Sequence, residues 1–583
     1  MSIISLSDGS NSTFTAEDLK ALAADLNFEF PPDGKDAGNY LRLLWSFEAV
    51  MKQVHDGADY IHPALETQPL STNRHYWKPT PETNPFNGWS HRCNLIAAHP
   101  TSAILQGRTV AIKDNISVAG LPTTLGAPAS LVSPDGAYPI SPIDAVVVSR
   151  LLVAGAVIKG TSTCECFCAS PLSFTSATGP VHNPRLQGYM AGGSSSGSCA
   201  LVSAHALASV SSSSSHEDNP YGETVELAIG TDQAGSVRIP ASYNGLYGLK
   251  PTFGLVPYTG AASMSPMIDH LGPIAPTLED IAALLQVMAG WDGIDARMTP
   301  ESPLLGRVKD YLQLLSDFRQ TLLSSPSPNA PAPGKTWKIG LLTESFHLPS
   351  LSPQVRDTVR HAAKRFFQAA GAEVVDVSIP LHLEGPVIWT ASTRPSMSSW
   401  LCQGRAAGHL SYLPPHLEPR WPPTQETYDV LTSTNPALAN IILSEQFAQR
   451  FLPAGLEGKA HRKVFELREA YDRALGEVDV LVTPCAPGVA MPHPPRMEGE
   501  EDGVKTSVME RLAPAIGLTS NTCPFNVTGH PALNVPCGFG TREERPGVQL
   551  PIGMQIVGRR WEDERVLMAA ALFERGRELA GGE

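Results

Sequence analysis

The sequence predicts an α/β fold: a mixed, largely parallel-core β-sheet wrapped by helices, with a helical extension at its N-terminal end. Three observations carry this expectation. From about residue 107, short apolar strand-like runs alternate with helical patterns, the signature of a sheet covered by helices. A Gly- and Ser-rich turn, Gly192-Gly193-Ser194-Ser195-Ser196-Gly197, opens a helical run over residues 198–210. Residues 1–56 show helical periodicity alone. With 583 residues the chain exceeds a usual single domain. The expected division is 1–95, a helical extension and proline-rich wrap, and 96–583, the main domain, with 383–460 as its variable part.

In chain order, Thr15 and Asp18 form a capping box, Phe14 staples onto Leu19, and Leu19, Leu22, Ala23 and Leu26 share one face. Asn39 is expected to start a second helix. Prolines at 63, 69, 79, 81, 85 and 100 make residues 56–100 an irregular wrap. Residues 108–113 read as a strand, 144–152 as a helix stopped by Gly155, and 157–159 as the next strand. After the 198–210 helix, residues 211–220 form a polar, Ser-rich insertion, read as a solvent loop. Residues 225–230 form a strand. Thr277 and Asp280 cap a helix running to Ala289, with Gly290 just beyond. A Pro- and Ser-rich loop at 324–334, a strand at 338–342, and a helix opened by Ser352-Pro353 follow. Strands at 478–483 and 550–558 and a helix at 562–579 close the chain. Residues 383–460, with Trp389, Trp400 and Trp421, carry no recognisable pattern.

Composition excludes several classes. The net charge of −14 argues against nucleic-acid partners, which call for a basic stripe. No apolar run is long enough to span a membrane. The opening Met1-Ser2-Ile3-Ile4-Ser5 lacks a signal-peptide pattern, so a cytoplasmic location is expected. Nine thinly spread cysteines do not make a disulfide framework. Cys164, Cys166 and Cys168 alternate, but not at zinc-ligand spacing, and no histidine accompanies them; no metal and no organic cofactor are expected.

The chemistry sits in two glycine-flanked serine turns and one upstream lysine. The second turn is Gly230-Thr231-Asp232-Gln233-Ala234-Gly235-Ser236-Val237-Arg238, and the lysine ends Val110-Ala111-Ile112-Lys113. Serine is a weak nucleophile until a base takes its proton, and lysine serves only as the uncharged amine, which burial favours. Each feature has a plainer reading when taken alone: a strand-end lysine reaching water, and a serine-rich helix cap. Val110–Lys113 also spells a kinase strand motif, yet the kinase catalytic and metal-binding motifs are missing. Ser195 centres a Gly-x-Ser-x-Gly pattern, whose acid and base candidates are Asp269 with His270, or His530. That reading leaves Lys113 and the second turn unexplained.

Together, the lysine run and the two turns resemble the amidase signature family, most closely its bacterial enantioselective, nitrile-pathway amidases. Asp114-Asn115-Ile116-Ser117-Val118-Ala119-Gly120 and Ile268-Asp269-His270-Leu271-Gly272-Pro273-Ile274 carry the closer likeness. The resemblance implies an amidase-signature fold, with 96–583 as catalytic domain and 383–460 on the substrate side. It implies a Ser–cisSer–Lys triad of Ser236, Ser194 and Lys113, with the backbone amides of Gln233, Ala234, Gly235 and Ser236 as oxyanion hole. Ser195, Asp232 and Arg238 are expected to support the site, and Cys166 and Phe167 to border the acyl pocket. The implied activity is hydrolysis of a small carboxamide through an acyl-enzyme. An esterase or acyl transferase using the same triad, and a catalytically dead binding scaffold, remain alternatives. The N-terminal helices either help form a homodimer, as in the resembled enzymes, or cover the core. Two positions depart from the family pattern: Ala234 and Ser196 stand where glycine is common.

Overall fold

The computed structural model describes residues 6–31, 34–210, 219–323, 333–405, 413–418, 420–494 and 507–581. The Ser-rich stretch at 211–218 and residues 324–332 of the Pro-rich loop lie outside the described residues. The chain divides into two compact units, 1–62 and 63–583.

The first unit holds two helices, Ala16–Asp25 and Lys35–Asp56. Thr15 caps the first through the expected capping box with Asp18. The second begins before Asn39, at Lys35, because Gly34 in the left-handed region (φ 67°) turns the chain into it. Its apolar pattern starts only at Tyr40, so periodicity alone places its start too late.

The second unit is built on one sheet. Its strands are β1 (Tyr76–Trp77), β2 (Trp89–Leu95), β3 (Thr109–Lys113), β4 (Val157–Ser162), β7 (Leu227–Asp232), β8 (Tyr247–Lys250), β9 (His270–Ala275), β10 (Lys338–Leu342), β11 (Glu373–Val377), β12 (Val480–Pro484), β13 (Ala532–Arg542) and β14 (Arg545–Val557); β5 (His182–Asn183) and β6 (Leu186–Met190) form a separate hairpin. The spatial order is β1-β2-β4-β3-β7-β9-β8-β13-β14-β12-β10-β11. The sheet is mixed. Its parallel pairs fall into two blocks, β4-β3-β7 and β12-β10-β11, where helical crossovers separate the strands in sequence. Between them β9, β8, β13 and β14 pair antiparallel, so the centre is not the parallel core expected from sequence. The reason is local: β13 and β14 are joined by a turn too short for a crossover.

The wrap at 56–100 also contains an unexpected strand. β2 is almost wholly buried and pairs antiparallel with β4. Pro85 and Pro100 bracket it rather than interrupt it, and Ser90, His91 and Arg92 hide its buried character. The variable region 383–460 is helical, with Gly385–Thr393, Gln425–Thr434 and Pro436–Phe451 leading into Leu456–Glu477. Among the described residues no helix is long and apolar enough to cross a membrane.

Candidate active site

Lys113 is the last residue of β3, whose parallel neighbours β4 and β7 bury it completely. Its Nζ lies 2.8 Å from Ser194 Oγ, 2.7 Å from Thr231 Oγ1 and 3.4 Å from the Thr231 carbonyl. All three partners are neutral oxygens. Each can accept an N–H of the lysine, and a hydroxyl in the Ser194 position can also donate to the lone pair of an amine.

Ser194 follows a cis Gly193–Ser194 peptide, and the helix Ser196–Val210 starts two residues later. Gly193 has no room for a side chain: a Cβ there would lie 2.3 Å from the Leu172 carbonyl. The Ser195 N–H donates to the Ser236 carbonyl at 3.2 Å, so the two serine turns lie against each other. Ser195 Oγ donates to the Thr231 carbonyl at 3.3 Å, placing it on the end of β7 and not on Lys113. Lys113 and Ser194 are sealed, whereas Ser236 keeps 8% of its surface exposed.

The Ser236 turn leaves β7 at Asp232 and ends in the helix Arg238–Asn244. Asp232 Oδ1 accepts the Gly235 N–H at 2.7 Å, and Oδ2 accepts the Val237 N–H at 3.1 Å. Arg238 binds the same carboxylate and also donates to the Thr522 carbonyl, Gln555 Oε1 and Asn526 Oδ1. Burial raises the Asp232 carboxyl, but the Arg238 charge and these hydrogen bonds override it and hold the group well below the usual carboxylate range. Because the Gly235 N–H is taken by Asp232, the amides of Gln233, Ala234 and Ser236 are the ones without an intramolecular acceptor among the described residues. Gly235 has φ 134°, a region reserved for glycine, whereas Ala234 is not among the positive-φ residues. The alanine therefore fits the turn unstrained.

Ser196, the other departure, donates to Glu165 Oε1 at 2.8 Å. Glu165 Oε2 accepts from the Thr175 N–H and hydroxyl. Burial dominates and pushes the Glu165 carboxyl up to about 7, against the pull of those hydrogen bonds. Asp114, beside Lys113 in sequence, is likewise pushed up to about 7 by burial, against hydrogen bonds from Ser90 and Thr124.

A cleft of about 90 Å³, open to solvent, ends beside this centre. Asn115, Cys168 and Gln233 line its inner end, and Cys168 touches the Ser194 and Thr231 side chains. Its walls are apolar, with Leu125, Leu131, Phe167, Met264, Leu417, Trp421 and Leu431 prominent. Of the two residues expected to border the pocket, Phe167 lines the cleft, while Cys166 is buried in the apolar cluster behind it. Among the described residues no group of His, Cys, Asp and Glu side chains is arranged to hold a metal ion.

The Gly-x-Ser-x-Gly alternative finds no histidine at its serine. His270 contacts the Ile268 carbonyl and Lys250, and His530 contacts Thr528 and Asp472. Sequence reading also missed partners. Thr231 had a faint signal, a hydroxyl in an apolar strand just before the turn. Asn526 and Gln555 had none, lying 288 and 317 residues from Arg238.

Comparison with known proteins follows the same outline. The sequence model of the Amidase family matches residues 94–213 and 222–567, omitting part of the Ser-rich insertion. The enantioselective amidase of Rhodococcus rhodochrous is 33% identical over 517 residues, covering 87% of this chain and 86% of that one. Among solved structures, a glutamyl-tRNA(Gln) amidotransferase chain of Thermotoga maritima superposes with a TM-score of 0.60 at 25% identity, covering 84% of this chain and 87% of that one. The native peptide amidase of Stenotrophomonas maltophilia gives 0.57 at 26% identity, with coverages of 81% and 83%.

Proposed function

Because this chain belongs to the amidase signature family and is a hydrolase acting on amides, we propose that it cleaves a small carboxamide to the carboxylic acid and ammonia or an amine, through an acyl-enzyme on Ser236. The observation that carries the reading is the sealed 2.8 Å contact between Lys113 Nζ and Ser194 Oγ, beside the partly open Ser236.

The steps follow from that geometry. Lys113, as the amine, accepts the Ser194 proton while Ser194 accepts the Ser236 proton. Ser236 Oγ forms a bond to the carbonyl carbon, and the carbonyl electron pair moves onto oxygen. The amides of Gln233, Ala234 and Ser236 receive that oxyanion. Ser194 returns a proton to the leaving nitrogen, the C–N bond breaks, and ammonia or amine departs. A water molecule, deprotonated through the same relay, then attacks the ester carbon, and the acid leaves with Ser236 reprotonated. Asp232 and Arg238 act by holding the turn. The apolar cleft suits a hydrophobic acyl group.

A serine-directed acylating or phosphonylating probe tests the assignment. Labelling should map to Ser236 and vanish in Ser236→Ala. Ammonia release from a panel of aliphatic and aromatic amides should disappear in Lys113→Ala. Labelling that persists in Ser236→Ala would overturn the reading.

A further inference from the structure

Gln233 opens the Ser236 turn, and its side chain is 2% exposed at the inner end of the cleft. The orientation of its amide is determined by its neighbours. Nε2 donates to the Tyr258 hydroxyl at 2.9 Å and to Asp269 Oδ1 at 3.3 Å. The Tyr258 hydroxyl donates its own proton to the Ala262 carbonyl at 3.0 Å, so it presents Gln233 with a lone pair. Asp269 is itself an acceptor for the Met264 N–H, the Ser263 hydroxyl and Arg297. Reversing the amide would set its oxygen against a carboxylate. Nitrogen and oxygen are therefore assigned, and Oε1 is a buried acceptor with no partner among the described residues. A buried acceptor is destabilising until a donor reaches it.

We propose that Gln233 Oε1 accepts an N–H of the scissile carboxamide nitrogen, making this side chain a determinant of amide over ester specificity. The inference rests on the acyl-enzyme reading above. The leaving nitrogen must turn its lone pair toward the Ser194 proton as the tetrahedral intermediate forms. An N–H held by Oε1 sets that rotation. The nitrogen becomes a stronger donor as it gains its proton, so the bond strengthens in the transition state and acts on kcat. An ester oxygen has no hydrogen to offer and would meet Oε1 with lone pairs.

The experiment compares the primary amide and the methyl ester of one hydrophobic acid in wild type, Gln233→Met and Tyr258→Phe. The methionine keeps the length and the backbone N–H but has no comparable acceptor. For Gln233→Met, the amide-to-ester ratio of kcat should fall about 10- to 100-fold, with little change in KM on the amide. Tyr258→Phe, which frees Nε2 of one anchor, should lower the amide-to-ester ratio in the same direction by a smaller factor, and it carries the test should Gln233→Met fail to fold. Equal losses on amide and ester, or an unchanged ratio in both variants, would overturn the inference. Ser236→Ala separates the two levels. If turnover does not depend on Ser236, the acyl-enzyme reading falls and this inference with it. If turnover depends on Ser236 and the ratio stays fixed, only this inference falls.

Discussion

Arg238 grips both carboxylate oxygens of Asp232, Nε to Oδ2 at 2.9 Å and Nη2 to Oδ1 at 2.8 Å, with both side chains fully buried. The same two oxygens hold the Gly235 and Val237 amides, so this one pair fixes the turn that presents Ser236. Arg238→Met strands a buried carboxylate and should cost about 3–5 kcal/mol near neutral pH. The folded-state pKa of Asp232 in the wild type is depressed, so its contribution is present above the unfolded value near 3.8 and fades as the pH falls below it. The gap between wild type and Arg238→Met should therefore narrow at pH 4 and below, read as urea midpoints. Arg238→Lys keeps the charge but not the two-point grip; it should fold and lose at least about tenfold in kcat.

Two adjacent positions of the Ser236 turn should respond very differently. A Cβ on Gly235 would lie 2.4 Å from Thr522 Oγ1, on backbone at φ 134°. Gly235→Ala is expected to cost about 1–3 kcal/mol and to displace the Ser236 turn, with kcat falling at least about 100-fold. Ala234 is unstrained, so Ala234→Gly should stay within about threefold of wild-type kcat. Matched loss at both positions would mean the turn is not held as described.

Much of this was legible because it is local. Lys113 is marked by the apolar run before it, the two serines by their glycines, and the helix caps at Thr15, Thr277 and Ser352 by side chains three residues from their targets. What was hidden depends on long-range meetings. Asn526 and Gln555 become site residues only because the end of the chain returns beneath Arg238. β2 was hidden for a related reason: its Ser90 is buried to hydrogen-bond Asp114, so its polarity misreports its position. The antiparallel centre was invisible because strand propensity says nothing about which neighbour a strand will meet.

Glu165 gives a pH signature. Its folded-state pKa is raised from 4.5 to about 7 by burial, so the folded protein binds a proton that the unfolded chain releases between those values. Stability from this group is therefore full below about pH 4.5 and declines as the pH rises to about 7. The expected loss is on the order of 2–4 kcal/mol. Glu165→Gln keeps the acceptor for Thr175 and offers Ser196 an N–H donor in place of an oxygen. Relative to wild type it should gain stability at pH 8 and little at pH 5. Denaturant titrations at the two pH values check this; a gain that is equal at both would remove Glu165 as the titrating group.

Phe167 and Cys166 are adjacent in sequence yet should separate cleanly in kinetics. Phe167, at φ 51°, and Cys168, at φ 58°, turn the backbone so that both line the cleft, while Cys166 packs behind it among apolar side chains. Phe167→Ala removes apolar wall from the cleft and should raise KM for a bulky aromatic amide about tenfold, with a much smaller effect on acetamide. Cys166→Ala removes only a buried sulfur. It should lower stability by about 1 kcal/mol and leave the KM of both amides within about twofold. Steady-state kinetics on the two substrates, beside thermal melts, decide the matter: a KM effect in Cys166→Ala as large as that in Phe167→Ala would place the acyl pocket on the other side of this turn.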